Sequence, residues 1–365
     1  MILKIIFTLL VLIHGLIHFL GFVKAFNIAD VPQLKQEISR ITGFFWLISG
    51  LLFLIMGVLI WIYPDKWWML GLFAIVFSQV IISTFWQDAK FGTVANIIIL
   101  LISVLSYGSY NFEKQYKTDV EYQISNTKYF PGEILTDSDL VALPVPVQRY
   151  LRYAGVLNKP KVKNMRVVME GEMRGKGKDW FTFRSEQYNF FDEPARLFFM
   201  KGKMFGIIVP GYHKYVNGKA SMDIRLFGLF PVEQHSGGVM NRTETVTYFN
   251  DICLMAPAAL IDKRIKWEYI DENTVKARFV NGGNDISATL FFDDDGRLIN
   301  FLSYDRTSVS DMKQYPFSTP VKKYASFNGY NLVAEGDGVW HYPDEKFVYG
   351  KFFLKEIEYN VSTFK

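Results

Sequence analysis

The sequence predicts an α-helical transmembrane bundle followed by a mostly antiparallel β domain, an α+β chain whose sheet is curved or forms a half-barrel with an inserted helix. Three observations lead there. Long apolar runs fill the chain up to Tyr110 and largely stop after it. From Val162 onward apolar residues alternate with polar ones, and turn signals recur between the alternating stretches. One stretch, residues 241–261, interrupts that alternation with a helical pattern. The reading is a four-helix transmembrane domain over residues 1–112, a juxtamembrane linker over 113–140 and a β-rich, membrane-tethered domain over 141–365.

The first run, residues 2–23, carries Lys4 as its one charged side chain and can cross the roughly 30 Å hydrocarbon layer as a helix. A secretory signal needs an apolar core of about 7–15 residues and then a small-x-small cleavage site, which this run lacks. His14 and His18 lie inside it, four residues apart and so on one helix face. Lipid cannot satisfy an imidazole, so that face must point at protein or water.

Three further runs follow. Residues 41–63 close on Pro64, residues 67–86 open and close on tryptophans as an interfacial belt does, and residues 94–110 are shorter and dotted with serine. Short connections join them, which implies a compact antiparallel bundle. Four spans put both ends of the chain on one side of the bilayer. The basic residues then balance, with Lys4, Lys66, Lys114 and Lys117 on that side against Lys24, Lys35, Arg40 and Lys90 on the other. Because the loop over residues 24–40 holds three of the latter four, the β domain is expected outside the cytoplasm, in a multi-pass protein of the cell membrane.

Depth gathers the polar residues of the bundle. His18, Gln79, Ser83, Asp88 and Asn96 belong to the half facing away from the β domain, and Gln79, Ser83 and Trp86 share a face by spacing. His14, His18, Gln79, Ser83, Asp88 and Asn96 are therefore the candidate ligand-binding pocket. Two imidazoles one turn apart, His14 and His18, can ligate a metal, with Asp88 or Gln79 as a third ligand, or each can meet a haem or quinone. The plainer alternative is that both make interhelical hydrogen bonds, which stabilise bundles by about 0.6–2 kcal/mol each.

Residues 113–139 are polar and contain Pro131 and Gly132, hence the linker. Residues 147–153 suit a short amphipathic helix ending at Gly155, whose Arg149 and Arg152 either touch phospholipid headgroups or cap the sheet. Then the period becomes two: Ile265, Trp267 and Tyr269; Val275, Ala277 and Phe279; and a long last strand from Phe347 to Tyr359. Turns are expected at Asn217-Gly218, Asn281-Gly282-Gly283, Asp293 to Gly296, Asn328-Gly329 and Asp337-Gly338. Paired aromatics such as Phe198-Phe199 and Phe352-Phe353 place apolar rings on both faces of the sheet. One face can pack on the inserted helix; the other needs a ligand, the membrane or a second layer of the same sheet.

Composition excludes several classes. A net charge of +4 without a basic block argues against nucleic acid as a partner. Cys253 is the single cysteine, which excludes a disulfide framework and a thiolate zinc site. No phosphate-binding glycine loop, His-Glu-x-x-His, Gly-x-Ser-x-Gly or dinucleotide fingerprint occurs. His213, Tyr215, Arg225, Glu244 and His341 are candidates for a cleft in the β domain, though nothing in their spacing joins them.

The stretches His-Gly-Leu-Ile-His-Phe-Leu-Gly-Phe-Val-Lys-Ala-Phe from His14 and Trp-Gln-Asp-Ala-Lys-Phe-Gly-Thr from Trp86 resemble an uncharacterised bacterial membrane-protein family. Leu-Pro-Val-Pro-Val-Gln-Arg-Tyr-Leu-Arg-Tyr-Ala-Gly-Val from Leu143, the segment over residues 256–260 with Trp267, and the end over residues 329–340 resemble a bacterial domain family of unknown function. No catalytic residue can be carried over from that resemblance, and it leaves any cofactor unknown. The curved sheet with an inserted helix is also similar in outline to the half-barrels of periplasmic lipoprotein carriers. The functions to weigh are binding of an apolar ligand, a lipid or lipidated protein, by the β domain at the bilayer; a redox or metal-dependent membrane enzyme using His14 and His18; and a membrane sensor or scaffold.

Overall fold

The structure is a computed structural model that describes residues 1–127, 133–204 and 206–365. Pro131 and Gly132, read above as linker residues, lie outside the described residues. The chain forms two compact units, residues 1–112 with 227–229, and residues 113–226 with 230–365.

In the first unit, α1 (Ile2–Ala25), α2 (Arg40–Ile62), α3 (Trp67–Thr84) and α4 (Gly92–Asn126) are each long and apolar enough to cross a membrane. Ser39 starts α2 by accepting the Thr42 amide on its hydroxyl. Along α2, Gly43, Gly50 and Gly57 recur every seven residues against Ala25, Phe19 and Leu12 of α1. Small residues at one seam let two helices approach closely, which is how helices associate where no hydrophobic effect drives them. On α3 the buried positions are Trp67, Gly71, Ala74, Ile75, Ser78, Ile81 and Ile82, an apolar stripe interrupted by one serine.

The expected linker is in large part helix. α4 continues to Asn126, and Phe112, Tyr116 and Val120, spaced four apart in a polar sequence, are all buried. Within the second unit its last turns lie on one sheet face: the Tyr116 hydroxyl donates to the Glu186 carbonyl oxygen at 3.1 Å, and its ring stacks on Phe199 at 5.2 Å. Asp119 accepts from Tyr212 and Lys214, each at 2.8 Å. The cover for the second apolar face is therefore this helix.

The 14-stranded antiparallel sheet comprises β1 (Asn164–Met173), β2 (Phe181–Phe190), β3 (Ala195–Met204), β4 (Ile207–Val216), β5 (Lys219–Leu226), β6 (Phe230–Ser236), β7 (Ile265–Asp271), β8 (Thr274–Asn281), β9 (Asn284–Phe292), β10 (Leu298–Ser303), β11 (Phe317–Ser318), β12 (Val321–Phe327), β13 (Tyr330–His341) and β14 (Lys346–Tyr359). The order is β6-β5-β4-β3-β2-β1-β14-β13-β11-β10-β9-β8-β7, with β12 beside β13. Two runs of hairpins thus grow outward from the central pair β1 and β14. Helix α5 (Val145–Tyr153) precedes the sheet, and α6 (Gly238–Met255) with a turn of 3-10 helix (Pro257–Ile261) joins its two edge strands.

Because α6 connects β6 to β7, it spans the concave face. The Tyr248 hydroxyl reaches the Phe190 carbonyl on one half, and the Phe249 ring stacks on Phe279 of the other. The two halves meet at their hairpin tips: the Asn284 side-chain amide donates to the Gly218 carbonyl oxygen at 2.8 Å. Gly218 and Gly282 have φ of +77° and +54°, as tight two-residue turns demand. Asp337-Gly338, expected as a turn, lies inside β13. There the pairing with β14 slips a register between Gly338 and Val339, and a Cβ on Gly338 would come within 2.4 Å of the Tyr349 ring. Gly338 faces a bulge in β14, where Tyr349 is the extra residue, and a second bulge of β14, at Lys355, lies opposite Val168 and Met169 of β1. Arg149 donates to the Glu272 carbonyl and the Asn273 side chain of the β7–β8 turn, and Arg152 pairs with Asp137.

A Cβ added at Gly50 would lie 2.6 Å from the Phe19 ring and 2.9 Å from the Gly15 carbonyl oxygen, and the latter is backbone that cannot rotate away. Gly50→Ala is expected to cost the first unit about 1–3 kcal/mol. A thermal melt of the full chain in detergent checks this; an unchanged midpoint would show that α1 and α2 are not held this closely.

Candidate functional site

The first unit gathers most of its expected polar residues. His14 and His18 are 4% and 2% exposed, and their rings meet edge to face at 4.7 Å. His14 Nε2 bonds Asn96 Oδ1 at 3.0 Å, His18 Nε2 bonds Ser78 Oγ at 2.9 Å, and His18 Nδ1 bonds the His14 carbonyl oxygen at 2.9 Å. Asn96 Nδ2 donates to Ser78 Oγ at 3.1 Å and to Gln79 Oε1 at 3.0 Å, and Gln79 Nε2 donates to Thr93 Oγ1 at 3.1 Å. Imidazole, amide and hydroxyl groups thus bond one another across α1, α3 and α4, with no carboxylate, lysine or arginine among them.

Two expected members behave differently. Ser83 is exposed in the last turn of α3, and Ser78 occupies the place assigned to it. The inward stripe of α3 is set by Gly71, Ala74 and Ser78, so a face drawn through Gln79 is rotated by one residue, about 100°. Trp86 lies beyond the helix end, where Phe85 leaves helical geometry. Asp88 accepts the Lys35 and Gln36 amides at 2.7 and 2.8 Å, and so ties the α1–α2 connection to the turn before α4. Among the described residues no group of three or more His, Cys, Asp and Glu could hold a metal ion, so nothing of those types completes a site on His14 and His18.

A second site lies in the β domain and carries no sequence motif. Between the concave face and α6 is a cavity of about 140 Å³. Its apolar lining includes Met169, Met173, Leu254, Met255, Phe352 and Leu354; its polar lining includes Arg196, His213, Glu244, Asp251 and Arg306. β3 delivers Arg196 and α6 delivers the two acids, seven residues apart on one helix face. Arg196 Nε donates to Asp251 Oδ2 at 2.7 Å, Nη1 to Glu244 Oε2 at 3.2 Å and Nη2 to Gln187 Oε1 at 3.1 Å. Gln187 and Asn189 each add a hydrogen bond to Asp251 Oδ2. The Arg306 guanidinium lies 3.9 Å from the Phe317 ring centre.

Of the cleft candidates, His213 and Glu244 meet here at 3.5 Å. Tyr215 bonds Thr245 and Asn281 in the core, Arg225 pairs with Asp223, and His341 bonds Ser318. The missing signal lay in Gln187, Asn189 and Arg196: polar residues on strands whose neighbours bury themselves, which must have a buried partner.

Burial alone would raise the Glu244 carboxyl. The His213 hydrogen bond and the Arg196 charge outweigh it and hold the group at about 2, against an ordinary 4.5. A carboxyl that binds its proton more weakly in the folded chain stabilises the fold fully above pH 4.5, and this stability drains away as pH falls toward 2. Glu244→Gln, which strands part of the buried Arg196 charge, is expected to cost about 3 kcal/mol at neutral pH. The melting temperature should drop by roughly 6–12 °C, and its gap from the unaltered protein should shrink from pH 5 to pH 2. A constant gap would mean that Glu244 does not carry the charge assigned to it.

Two solved structures are similar to part of the chain. One, from Vibrio parahaemolyticus, is described as an outer membrane lipoprotein-sorting protein domain; it is 9% identical, and the match covers 54% of this chain and 85% of that one at a TM-score of 0.35. The other is a LolA superfamily protein from Nitrosomonas europaea, 9% identical, covering 58% of this chain and 93% of that one at a TM-score of 0.33. No protein of curated function matches the chain. Residues 133–352, from the start of the described β domain into the last strand, match a family of unknown function. They make up more than half of the chain, and the protein is a member of that family, DUF6544.

Proposed function

We propose that this is an integral membrane protein whose β domain binds an amphipathic, lipid-like ligand, either a lipid or the acyl chain of a lipidated protein, in the cavity between the sheet and α6. The observation that carries this reading is the composition of the cavity wall. Methionine, leucine and phenylalanine side chains form an adaptable apolar lining, and an internally paired set of charges borders it. A space of about 140 Å³ takes a group of roughly benzene size, so a longer chain must continue through the open side of the curl. The Arg196, Glu244 and Asp251 charges are closed among themselves, whereas Arg306 Nε and Asp337 Oδ1 in the lining are enclosed without a hydrogen-bond partner, so the apolar wall gains from an acyl chain and these two atoms from a polar head.

The ligand reading is tested with the full chain in nanodiscs and a fluorescent fatty acid. Met173→Trp fills the apolar end and is expected to weaken binding about tenfold or more while the melt stays within a few degrees. Equal binding by the variant and the parent refutes the cavity as the site. The orientation is tested apart from it. Alkaline phosphatase fused after Lys365 should be active, as an extracytoplasmic β domain requires; an inactive fusion with an active cytoplasmic reporter at the same place reverses the orientation.

A further inference from the structure

The polarity of the hydrogen bonds around the two histidines can be worked out from one fixed end. The His14 carbonyl oxygen can only accept, so His18 Nδ1 carries a proton and donates to it. In a neutral ring His18 Nε2 is then an acceptor, and the Ser78 hydroxyl must donate to it. Having used its proton, Ser78 Oγ must accept from Asn96, so the NH2 of Asn96 faces Ser78 and its oxygen faces His14. His14 Nε2 therefore carries the proton, and His14 Nδ1 is left with a bare lone pair. The outward arm agrees, since Asn96 donates to Gln79 and Gln79 to Thr93.

That nitrogen has no partner among the described residues, and it is not among the atoms enclosed without one. His14 lines a groove of about 580 Å³ whose other walls include Leu10, Ile13, Ile17, Leu34 and Ala95. The walls are mostly apolar, and the groove lies along helices long and apolar enough to cross a membrane. Of the other polar residues in its lining, Asp88 is bonded by the Lys35 and Gln36 amides, His18 has both ring nitrogens bonded and Trp46 Nε1 is enclosed, which leaves His14 Nδ1 as the acceptor without a donor that an occupant can reach. An occupant must therefore be soluble in hydrocarbon and must bring the missing proton. We propose that this groove binds a membrane-soluble molecule bearing a hydroxyl group, which donates a hydrogen bond to His14 Nδ1. A carbonyl in the same place would set two acceptors against each other. The proposal rests on the membrane reading of the first unit and is independent of the β-domain cavity.

The test uses the full chain in phosphatidylcholine nanodiscs and three radiolabelled probes, an alkyl-tailed hydroquinone, a polyprenol and a diacylglycerol, each paired with its O-methyl ether. At least one hydroxyl probe should bind about tenfold or more tighter than its ether, and the one that does identifies the source. Ala95→Phe fills the groove from α4 without touching the hydrogen-bonded cluster, and should abolish that selectivity with the melt preserved. Nitrogen NMR of labelled histidine should show His14 protonated at Nε2 before the probe is added. Ethers that bind as well as alcohols, selectivity that survives Ala95→Phe, or a His14 protonated at Nδ1 would each overturn the proposal. Alkaline carbonate washing of membranes separates the two failures. Release of the chain sinks the membrane reading, whereas retention without hydroxyl selectivity sinks this site alone.

Discussion

The bond from Arg196 to Asp251 holds the inserted helix to the sheet at 2.7 Å in a place closed to water, and the β domain is arranged so that this bond can exist. A guanidinium buried without partners is prohibitively costly, so Gln187, Asn189 and Glu244 surround the pair and satisfy its remaining donors and acceptors. That requirement fixes the helix in depth and rotation. Once α6 is fixed, Tyr248 and Phe249 reach the two halves of the sheet, and the curl between them is set. The cavity is what the curl leaves between α6 and a wall of methionine, leucine and phenylalanine side chains. Ion pairs of this kind add little net stability over an apolar filling; what they contribute here is a unique position for a helix that apolar packing alone would let slide.

A single sheet apolar on both faces cannot stand as one layer. Phe198 lines the cavity and Phe199 packs under Tyr116, so one dipeptide serves two cores. Helix α4 provides the outer layer with its last turns. The same helix begins as an apolar span and ends as an amphipathic cover, and its sequence changes character near Phe112 without any break in hydrogen bonding. A polar average over residues 113–126 therefore read as linker, while the spacing of Phe112, Tyr116 and Val120 carried the helix. Periodicity held the information where composition did not.

Other features were legible for reasons that can be named. Asn-Gly and Gly-Gly turns are local, since only residues that tolerate positive φ fit them, and β4–β5, β8–β9 and β12–β13 turn where those dipeptides stand. Asp337-Gly338 carries the same letters but serves a bulge, and only the cross-strand Tyr349 ring explains that glycine. His14, His18, Gln79 and Asn96 could be grouped because helix depth along a bundle is a one-dimensional quantity that residue counting estimates well. Rotation about the helix axis is less forgiving. An error of one residue exchanged Ser78 for Ser83. The Arg196 network was out of reach because its members come from β2, β3 and α6, and their convergence is a property of the closed curl rather than of any segment.

The two polar clusters solve the burial problem in opposite ways, and the difference follows from their surroundings. In the β domain full charges are tolerated because opposite charges pair and fixed donors or acceptors surround them. Along the apolar helices the groups are amide, hydroxyl and imidazole, which need no counter-ion and can be satisfied pairwise across helices. A cluster built of neutral groups has a consequence that an ion pair lacks: its hydrogen bonds have direction. Every donor must find an acceptor in sequence, and in a finite chain of such bonds the ends are left with a defined polarity. One end here is the Thr93 hydroxyl, which can turn to suit a neighbour. The other is a ring nitrogen on a helix wedged against Gly50 and Phe53, which cannot turn.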